Sequence, residues 1–456
     1  MAKATLSKLS IQLEILSVAP GGDGVAKLPD GRTVFLSHAA AGDRVRARLT
    51  EEHKTYARAR IDAVLTPGPA RVTPPCPVAG ICGGCAWQHL DYQAQAAAKQ
   101  GFLTESLRRI GKLAEPPVLP LWAAESPLGY RNKAQVPVTL MPDGSFGMGY
   151  YKEGSHNVVP LPEEGCRLVE PAVDAALRFA RAELPSLGLG PYDQAKGTGT
   201  LRHVMARCNR KGETMLVIVT RTPLSERVRK QASAWITRLP GLLSVQNNIQ
   251  DKTGNVVLGP QTITLIGPDQ LEEDLGGLRF KLAASSFFQV NPSQTLKLWD
   301  ALQASRPWKG TEKVLELYCG VGTLSLPMAR LGVEVFGVES HGPAVDDARA
   351  NAALNNLNSA RFQVSDAEKA WADLPEGWTP DLVLVDPPRK GLDAIVINAL
   401  AEHAVPELLY VSCDPASLAR DTARLAEKGY ILQQCQPVDL FPQTPHVESV
   451  NRFLKS

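Results

Sequence analysis

Nowhere in the 456 residues does an apolar run approach the roughly 20 residues needed to cross a bilayer. The opening stretch, Met1 to Ser10, has no apolar core of the kind that marks a secretory signal. These absences set aside a membrane protein and lead to the expectation of a cytoplasmic one. Internal repeats and low-complexity tracts are also missing. Only eight cysteines are present, and in a reducing compartment they argue against a disulfide framework and for metal binding or catalysis. What is there is ordinary for a globular chain: 44% hydrophobic and 21% charged residues. The length is too great for one core, so two or three domains are expected.

The net charge of +2 conceals a gradient. Residues 1–112 hold 15 Lys+Arg against 9 Asp+Glu, or +6; residues 113–309 hold 22 against 18, or +4; residues 310–456 hold 12 against 20, or −8. A basic front on an acidic back suits a polyanion gripped by the first domains, although charge alone only permits a nucleic acid.

Three segments follow from periodicity and punctuation. From Lys8 to Arg71, short strands at 11–16, 33–36, 45–49 and 60–65 alternate with turns such as Gly21-Gly22-Asp23-Gly24 and Pro29-Asp30-Gly31. This predicts a small five-stranded, OB-like barrel over residues 1–68, a shape often used to bind oligonucleotides. Arg44, Arg46, Arg48, Lys54, Arg58 and Arg60, with Tyr56 among them, offer it a basic face. Residues 69–285 read as a central α+β domain. A Pro-rich linker at 67–75 opens it, and a helix over 91–112 is expected to pack on the catalytic domain. Strands are predicted at 136–140, 215–219, 245–248 and 256–258, and a helix at 226–239. Residues 286–456 alternate strand and helix and imply a doubly wound parallel sheet. The last two strands, 431–440 and 449–454, have no helix between them and should pair antiparallel. That ending suits a class I methyltransferase rather than a plain dinucleotide fold.

Glu316-Leu-Tyr-Cys-Gly320-Val-Gly322 sits where the first of these strands meets its helix. Glycines there admit a ligand close to the backbone. A pyrophosphate cradle would want a third glycine at 325, which is Ser325. Instead, carboxylates stand at three successive strand ends. Glu316 is suited to the cationic amino acid portion of S-adenosylmethionine, Glu339 to the ribose hydroxyls and Asp366 to the adenine amino group. Asp386-Pro387-Pro388-Arg389 ends the fourth strand. Methyltransferases acting on exocyclic nitrogens carry an aromatic residue where Arg389 stands, which argues against that chemistry.

Cys413 follows the apolar strand 408–412 and precedes Asp414-Pro415, which opens a helix. The thiol should face the pocket, and a helix N-terminus would favour a thiolate unless Asp414 opposes it. A thiolate beside a methyl donor points to a pyrimidine: addition at C6 makes C5 nucleophilic, and a base must then remove the C5 proton. Glu448, in His446-Val-Glu448, is the candidate base. Cys319 and Cys435 read as packing residues.

The motifs Phe287-Phe-Gln-Val-Asn-Pro292, Leu317-Tyr-Cys-Gly-Val-Gly322, Asp386-Pro-Pro-Arg-Lys-Gly391, Ser412-Cys-Asp-Pro415 with Leu418-Ala-Arg-Asp421, and Phe441-Pro-Gln-Thr-Pro-His-Val-Glu448 together resemble the TrmA/RumA family of RNA 5-methyluridine methyltransferases. Within it the chain resembles the RumA-like iron–sulfur branch. The resemblance covers nearly the whole chain. It implies Cys413 as nucleophile and Glu448 as base. Gln289, Tyr318, Gly320, Gly322, Thr323, Glu339, Asp366 and Asp386 would surround S-adenosylmethionine and the target base. Thr323 stands where relatives often carry Asn. The N-terminal barrel resembles a TRAM domain, an RNA-binding module.

Cys76, Cys82 and Cys85, with Cys166 far downstream, supply four thiols from two loops. Four cysteines hold tetrahedral zinc or a 4Fe–4S cluster, and the spacing leans only slightly to iron; the resemblance implies the cluster. A radical S-adenosylmethionine enzyme is disfavoured, because it needs Cys-x3-Cys-x2-Cys and the first gap here is five residues. A non-catalytic RNA-binding protein is disfavoured by the presence of both Cys413 and Glu448. The implied partner is RNA: 23S ribosomal RNA by resemblance, with transfer RNA as the alternative, and neither DNA nor membrane. A monomer is expected. Arg131, Lys133, Arg202, Arg207, Arg389 and Lys390 are candidate RNA contacts.

Overall fold

The computed structural model describes residues 10–194 and 196–456. Residues 1–9, where the first segment is expected to begin, lie outside them. The N-terminal unit contains β1 (Ser10–Glu14), β2 (Ser17–Val18), β3 (Gly24–Lys27), β4 (Thr33–Leu36), β5 (Arg44–Glu52) and β6 (Tyr56–Thr66). They form one sheet in the order β1-β5-β6-β4-β3-β2. Six strands replace the expected five because the two-residue β2 is too short to leave a periodic signal. Strict alternation along β5 buries Val45 and Ala47 and exposes Arg44, Arg46 and Arg48, so the basic face exists. Part of it is locally neutralised, with Arg48 3.2 Å from Asp62 and Arg58 2.9 Å from Asp23.

Helix α1 (Tyr92–Arg109) starts at Asp91, whose carboxylate accepts from the Gln93 and Ala94 N–H groups. A seven-stranded sheet follows, built from β7 (Lys133–Leu140), β8 (Phe146–Tyr151), β9 (Val158–Pro160), β10 (Leu201–Cys208), β11 (Thr214–Thr220), β12 (Leu242–Ile249) and β13 (Gln261–Ile266), in the order β13-β12-β11-β10-β7-β8-β9. Helices α2 (Pro171–Glu183) and α3 (Glu226–Ser233) cover one face. The helix predicted to reach 239 tightens into a 3-10 turn at Ala234–Thr237. The strand predicted at 256–258 does not form. Gln250 and Asn248 bond the backbone of Val256 and Gly259 at 3.0 and 2.7 Å, so side-chain amides supply partners that a ladder would have supplied. Val256 is left 68% exposed.

The hairpin β14 (Leu271–Leu275) and β15 (Leu278–Leu282) points Leu275, Leu278, Phe280 and Leu282 into the core of the last domain, as does α4 (Pro292–Ala304) with Leu298 and Trp299. That domain then runs β16 (Lys313–Leu317), α5 (Ser325–Arg330), β17 (Glu334–Glu339), α6 (Gly342–Leu354), β18 (Ala360–Val364), β19 (Leu382–Val385), α7 (Ala394–Glu402), β20 (Glu407–Ser412), α8 (Pro415–Ala426), β21 (Tyr430–Val438) and β22 (Glu448–Lys455). The sheet order is β18-β17-β16-β19-β20-β22-β21. The first five strands are parallel, and β22 inserts antiparallel to both β20 and β21, as the missing helix predicts.

Helix α1 packs Leu103 and Leu107 into the same core as Leu418 and Leu425 of α8. Its Lys99 ammonium lies 2.6 Å from the Asp439 carboxylate, both side chains fully buried, and the Tyr92 hydroxyl donates to the same carboxylate at 2.8 Å. The helix thus packs against α8 and the Asp439 segment of the last domain. No helix among the described residues is long and apolar enough to cross a membrane.

Candidate active site

The turn from β16 into α5 walls a cavity of about 370 Å³, together with Gln289, Thr323, Glu339 and Asp386. Three left-handed residues, Tyr318 (φ +66°), Gly320 (φ +54°) and Gly322 (φ +85°), fold the backbone tightly there. The two glycines do different work. A Cβ on Gly320 would meet nothing within 4 Å and would project into open space, whereas one on Gly322 would press Leu326 and Phe362 at 3.4 Å. Gly320 and Tyr318 line the cavity, while Gly322 closes the packing beneath it. Glu339 ends β17 and accepts from the Gly320 and His341 N–H groups at 3.3 and 2.8 Å.

Glu316 is buried. One carboxylate oxygen accepts from Ser325, the residue occupying the place of the third glycine, and the other has no partner. Burial, together with Asp386 and Glu339 nearby, pushes its carboxyl up to about 8. Asp366 is not brought to these walls. It starts the 3-10 helix Ala367–Asp373 and pairs with Lys369 at 2.8 Å.

Cys413 and Glu448 are brought together by strand register. Ser412 pairs Ser449 at the end of the β20–β22 ladder, so Cys413 and Glu448 follow directly beyond the last pair, and the Glu448 charge acts on the Cys413 thiol. Asp414 does not act on the thiol alone: its carboxylate accepts from the Ser417 N–H at 2.7 Å and caps α8. The thiolate expected from the helix N-terminus is not favoured in this state. Burial, then the charges of Glu448 and Asp386, push the Cys413 thiol up to about 12, with Arg389 opposing. A helix end carries only about half a charge, which burial and two carboxylates outweigh. Burial and Asp386 push Glu448 up to about 8, and burial pushes Asp386 up to about 7. Arg389 donates to His446 Nε2 at 3.0 Å; burial and the guanidinium push that imidazole down to about 4, so it is a neutral acceptor.

A second cavity, of about 390 Å³, is lined by Cys76, Cys82, Cys85 and Cys166, with Arg131, Lys133 and Arg167 on its walls. Phe287, 70% exposed, lines both cavities and so marks where they meet. Burial pushes the Cys85 thiol up to about 12 and raises Cys76 and Cys82. The four thiols therefore share one chamber, but no group of three or more His, Cys, Asp or Glu side chains among the described residues is placed to hold a metal ion. Cys208, Cys319 and Cys435 are buried elsewhere.

Residues 269–455 match the family model for tRNA (uracil-5-)-methyltransferase, and residues 9–61 match that for the TRAM domain. An uncharacterized RNA methyltransferase of Gloeobacter violaceus is 40% identical over 455 residues, 99% of this chain and 98% of that protein. One from Bacillus cereus is 37% identical over 433 residues, 94% and 93% of the two chains. The chain belongs to the S-adenosylmethionine-dependent RNA uracil-5-methyltransferase family. The fold agrees: the crystal structure of Pyrococcus abyssi tRNA (uracil-54, C5)-methyltransferase with S-adenosyl-L-homocysteine superposes with a TM-score of 0.76 and 24% identity, over 97% of this chain and 100% of that one.

The methyltransferase also uses residues that motif reading passed over or misplaced. Arg207, a candidate RNA contact by sequence, is 1% exposed. It reaches from β10 across the domain boundary and donates to the Ala283 and Ser286 carbonyls at 2.7 and 2.6 Å, just before Phe287 and Gln289. Asp347 of α6 holds the same turn through the Ser286 hydroxyl at 2.6 Å. Asp421 accepts from the Leu392 N–H (2.8 Å) and the Tyr410 hydroxyl (3.1 Å) and fixes the loop carrying Asp386 and Arg389 against α8. Only the buried carboxylate at the end of a family motif hinted at Asp421; nothing periodic marks Arg207.

Proposed function

We propose that this methyltransferase modifies C5 of a uridine in 23S ribosomal RNA through a covalent bond between Cys413 and C6. The observation that carries the mechanism is the placing of Cys413 and Glu448 just beyond the Ser412–Ser449 pair, electrostatically coupled to each other and to Asp386. S-adenosylmethionine, when bound, supplies an electrophilic methyl group. The first cavity fits it: the unpartnered Glu316 oxygen would accept from the donor's ammonium, the open space at Gly320 would admit its chain, and Glu339 would hold the ribose hydroxyls. Tyr318, Thr323, Gln289 and Asp386 complete the walls. Gly322 contributes through packing and Asp366 from outside the cavity.

The target base leaves its stack to reach Cys413. Cys413 would pass its proton to solvent as its sulfur bonds C6, and the C5–C6 π pair would move onto C5. Once C5 carries the methyl group, Glu448 takes the C5 proton and the electron pair of that bond expels the sulfur. Burial raises all three groups, and the charges of Glu448 and Asp386 raise the Cys413 thiol further, so the proton affinities of the carboxyls and the nucleophile are coupled. Cys413→Ala should abolish both methyl transfer and any covalent RNA adduct. Glu448→Gln should let a methylated adduct accumulate; normal turnover by that variant would sink the assignment of the base.

For the second chamber we propose a 4Fe–4S cluster held by Cys76, Cys82, Cys85 and Cys166. What supports this reading is that all four thiols line one chamber, four cysteines being a ligand set for such a cluster. Four iron and four sulfide per anaerobically purified chain are expected; one zinc would overturn this. Transfer RNA is the second reading of the substrate, favoured by the name of the matching family model and of the superposed archaeal enzyme. Mapping 5-methyluridine in both RNAs from cells with and without the gene separates the two.

A further inference from the structure

We propose that a cavity of about 660 Å³ on the central domain takes an unpaired nucleotide of the RNA substrate, several positions from the target uridine. The inference rests on the RNA-methyltransferase reading and extends it to a second contact. Pro137 and Thr139 of β7, His203 of β10 and Tyr151 at the end of β8 line this cavity, with Tyr192 and Arg202 beside them.

Arg202 is the anion-binding group. It is 5% exposed and lines the cavity wall. Its Nη1 donates to the Gln250 and Lys252 carbonyls at 2.8 and 2.5 Å, which fixes the guanidinium and leaves Nε and Nη2 as donors. The guanidinium also lies over the Tyr192 ring at 5.1 Å, so carbonyls and an aromatic face position it and a phosphate can take its remaining N–H groups. The acidic residue on the rim, Asp193, sits 3.4 Å from Lys196.

The base-stacking group is Tyr151. The residue is 40% exposed, and its ring meets His156 edge to face at 5.6 Å and 85°, not stacked face to face. Bases of any identity stack on such a surface.

The placement ties this cavity to the reaction. Lys133, Gln135, Pro137 and Thr139 share one face of β7. The first two line the chamber that meets the cofactor cavity at Phe287, and the last two line this one. The track between them is roughly 20 Å at about 3.4 Å per residue, a span that single-stranded RNA threaded from the active site would follow.

The test is steady-state methylation of total RNA from cells lacking the gene, using radiolabelled S-adenosylmethionine and the full-length protein. Tyr151→Ala, an exposed change, should raise KM for RNA about 5- to 100-fold, the loss expected for one stacked base, with the KM for S-adenosylmethionine unmoved. Arg202→Gln should raise KM for RNA and lower the salt slope of binding by about one. Ultraviolet cross-linking of the wild type should attach RNA to the peptide containing Tyr151. An unchanged KM for RNA in Tyr151→Ala, with no cross-link there, overturns the inference. Failure of the wild type to label any RNA would instead strike the methylation reading itself.

Discussion

Replacing Glu448 by Gln should stabilise the fold in proportion to pH. The carboxyl is buried at the start of β22, close to Cys413 and Asp386, and burial raises it from the ordinary 4.5 to about 8. Between those values the folded chain binds a proton that the unfolded chain does not, so folding weakens as pH rises. Below 4.5 both states are protonated and the carboxyl costs nothing; above 8 the full penalty applies. A shift of that size corresponds to at most about 5 kcal/mol, accumulating by about 1.4 kcal/mol per pH unit. Gln keeps the volume and removes the charge. At roughly 2–4 °C per kcal/mol for a domain of this size, even half of the bound raises the catalytic domain's Tm by about 5–10 °C at pH 8.5 and by nothing at pH 4. Calorimetry of wild type and variant across this range measures it. A Tm difference that is constant with pH, or a variant less stable than wild type at pH 8.5, would refute the argument. On the proposed mechanism the same substitution should stop turnover, so stability and activity should move in opposite directions.

Lys99→Met should strand the buried Asp439 carboxylate and cost about 3–5 kcal/mol, seen as a large fall in Tm, while Lys99→Met with Asp439→Leu should recover most of it. Gly320→Val should raise KM for S-adenosylmethionine at least tenfold, because its side chain enters the open cavity and its φ of +54° disfavours a β-branched residue; an unaltered KM would show that the donor does not approach that backbone. Arg207→Met should leave two buried carbonyls without donors and loosen the Ala283–Ser286 turn, raising KM for S-adenosylmethionine more than Arg207→Lys does; equal kinetics for both variants and wild type would deny the clamp.

The motifs and the alternation of strand and helix were readable along the chain because they are local. Glu316 and the turn of Gly320 need only neighbouring residues to declare themselves, and β5 announces its basic face by a period of two. The antiparallel close of the last sheet was legible from a missing helix. The stretch 256–258 misled because its apolar residues carry no record of the Asn248 and Gln250 side chains that capture the backbone instead.

By itself, then, the sequence determined a methyl-donor turn, a thiol and a carboxyl at strand ends, and four further cysteines in two loops. Tertiary structure decided which of these meet. The β20–β22 register sets Cys413 and Glu448, 35 positions apart in sequence, just beyond the Ser412–Ser449 pair, and burial beside Asp386 sets the proton affinities of both. It removed Arg207 from the RNA face and Asp366 from the cavity, since a charge pattern gives no side of a sheet and a strand end gives no distance. The physical reason is range: turns and periodicities act through adjacent residues, whereas dielectric, charge coupling and cavity shape are made by groups that only folding brings together.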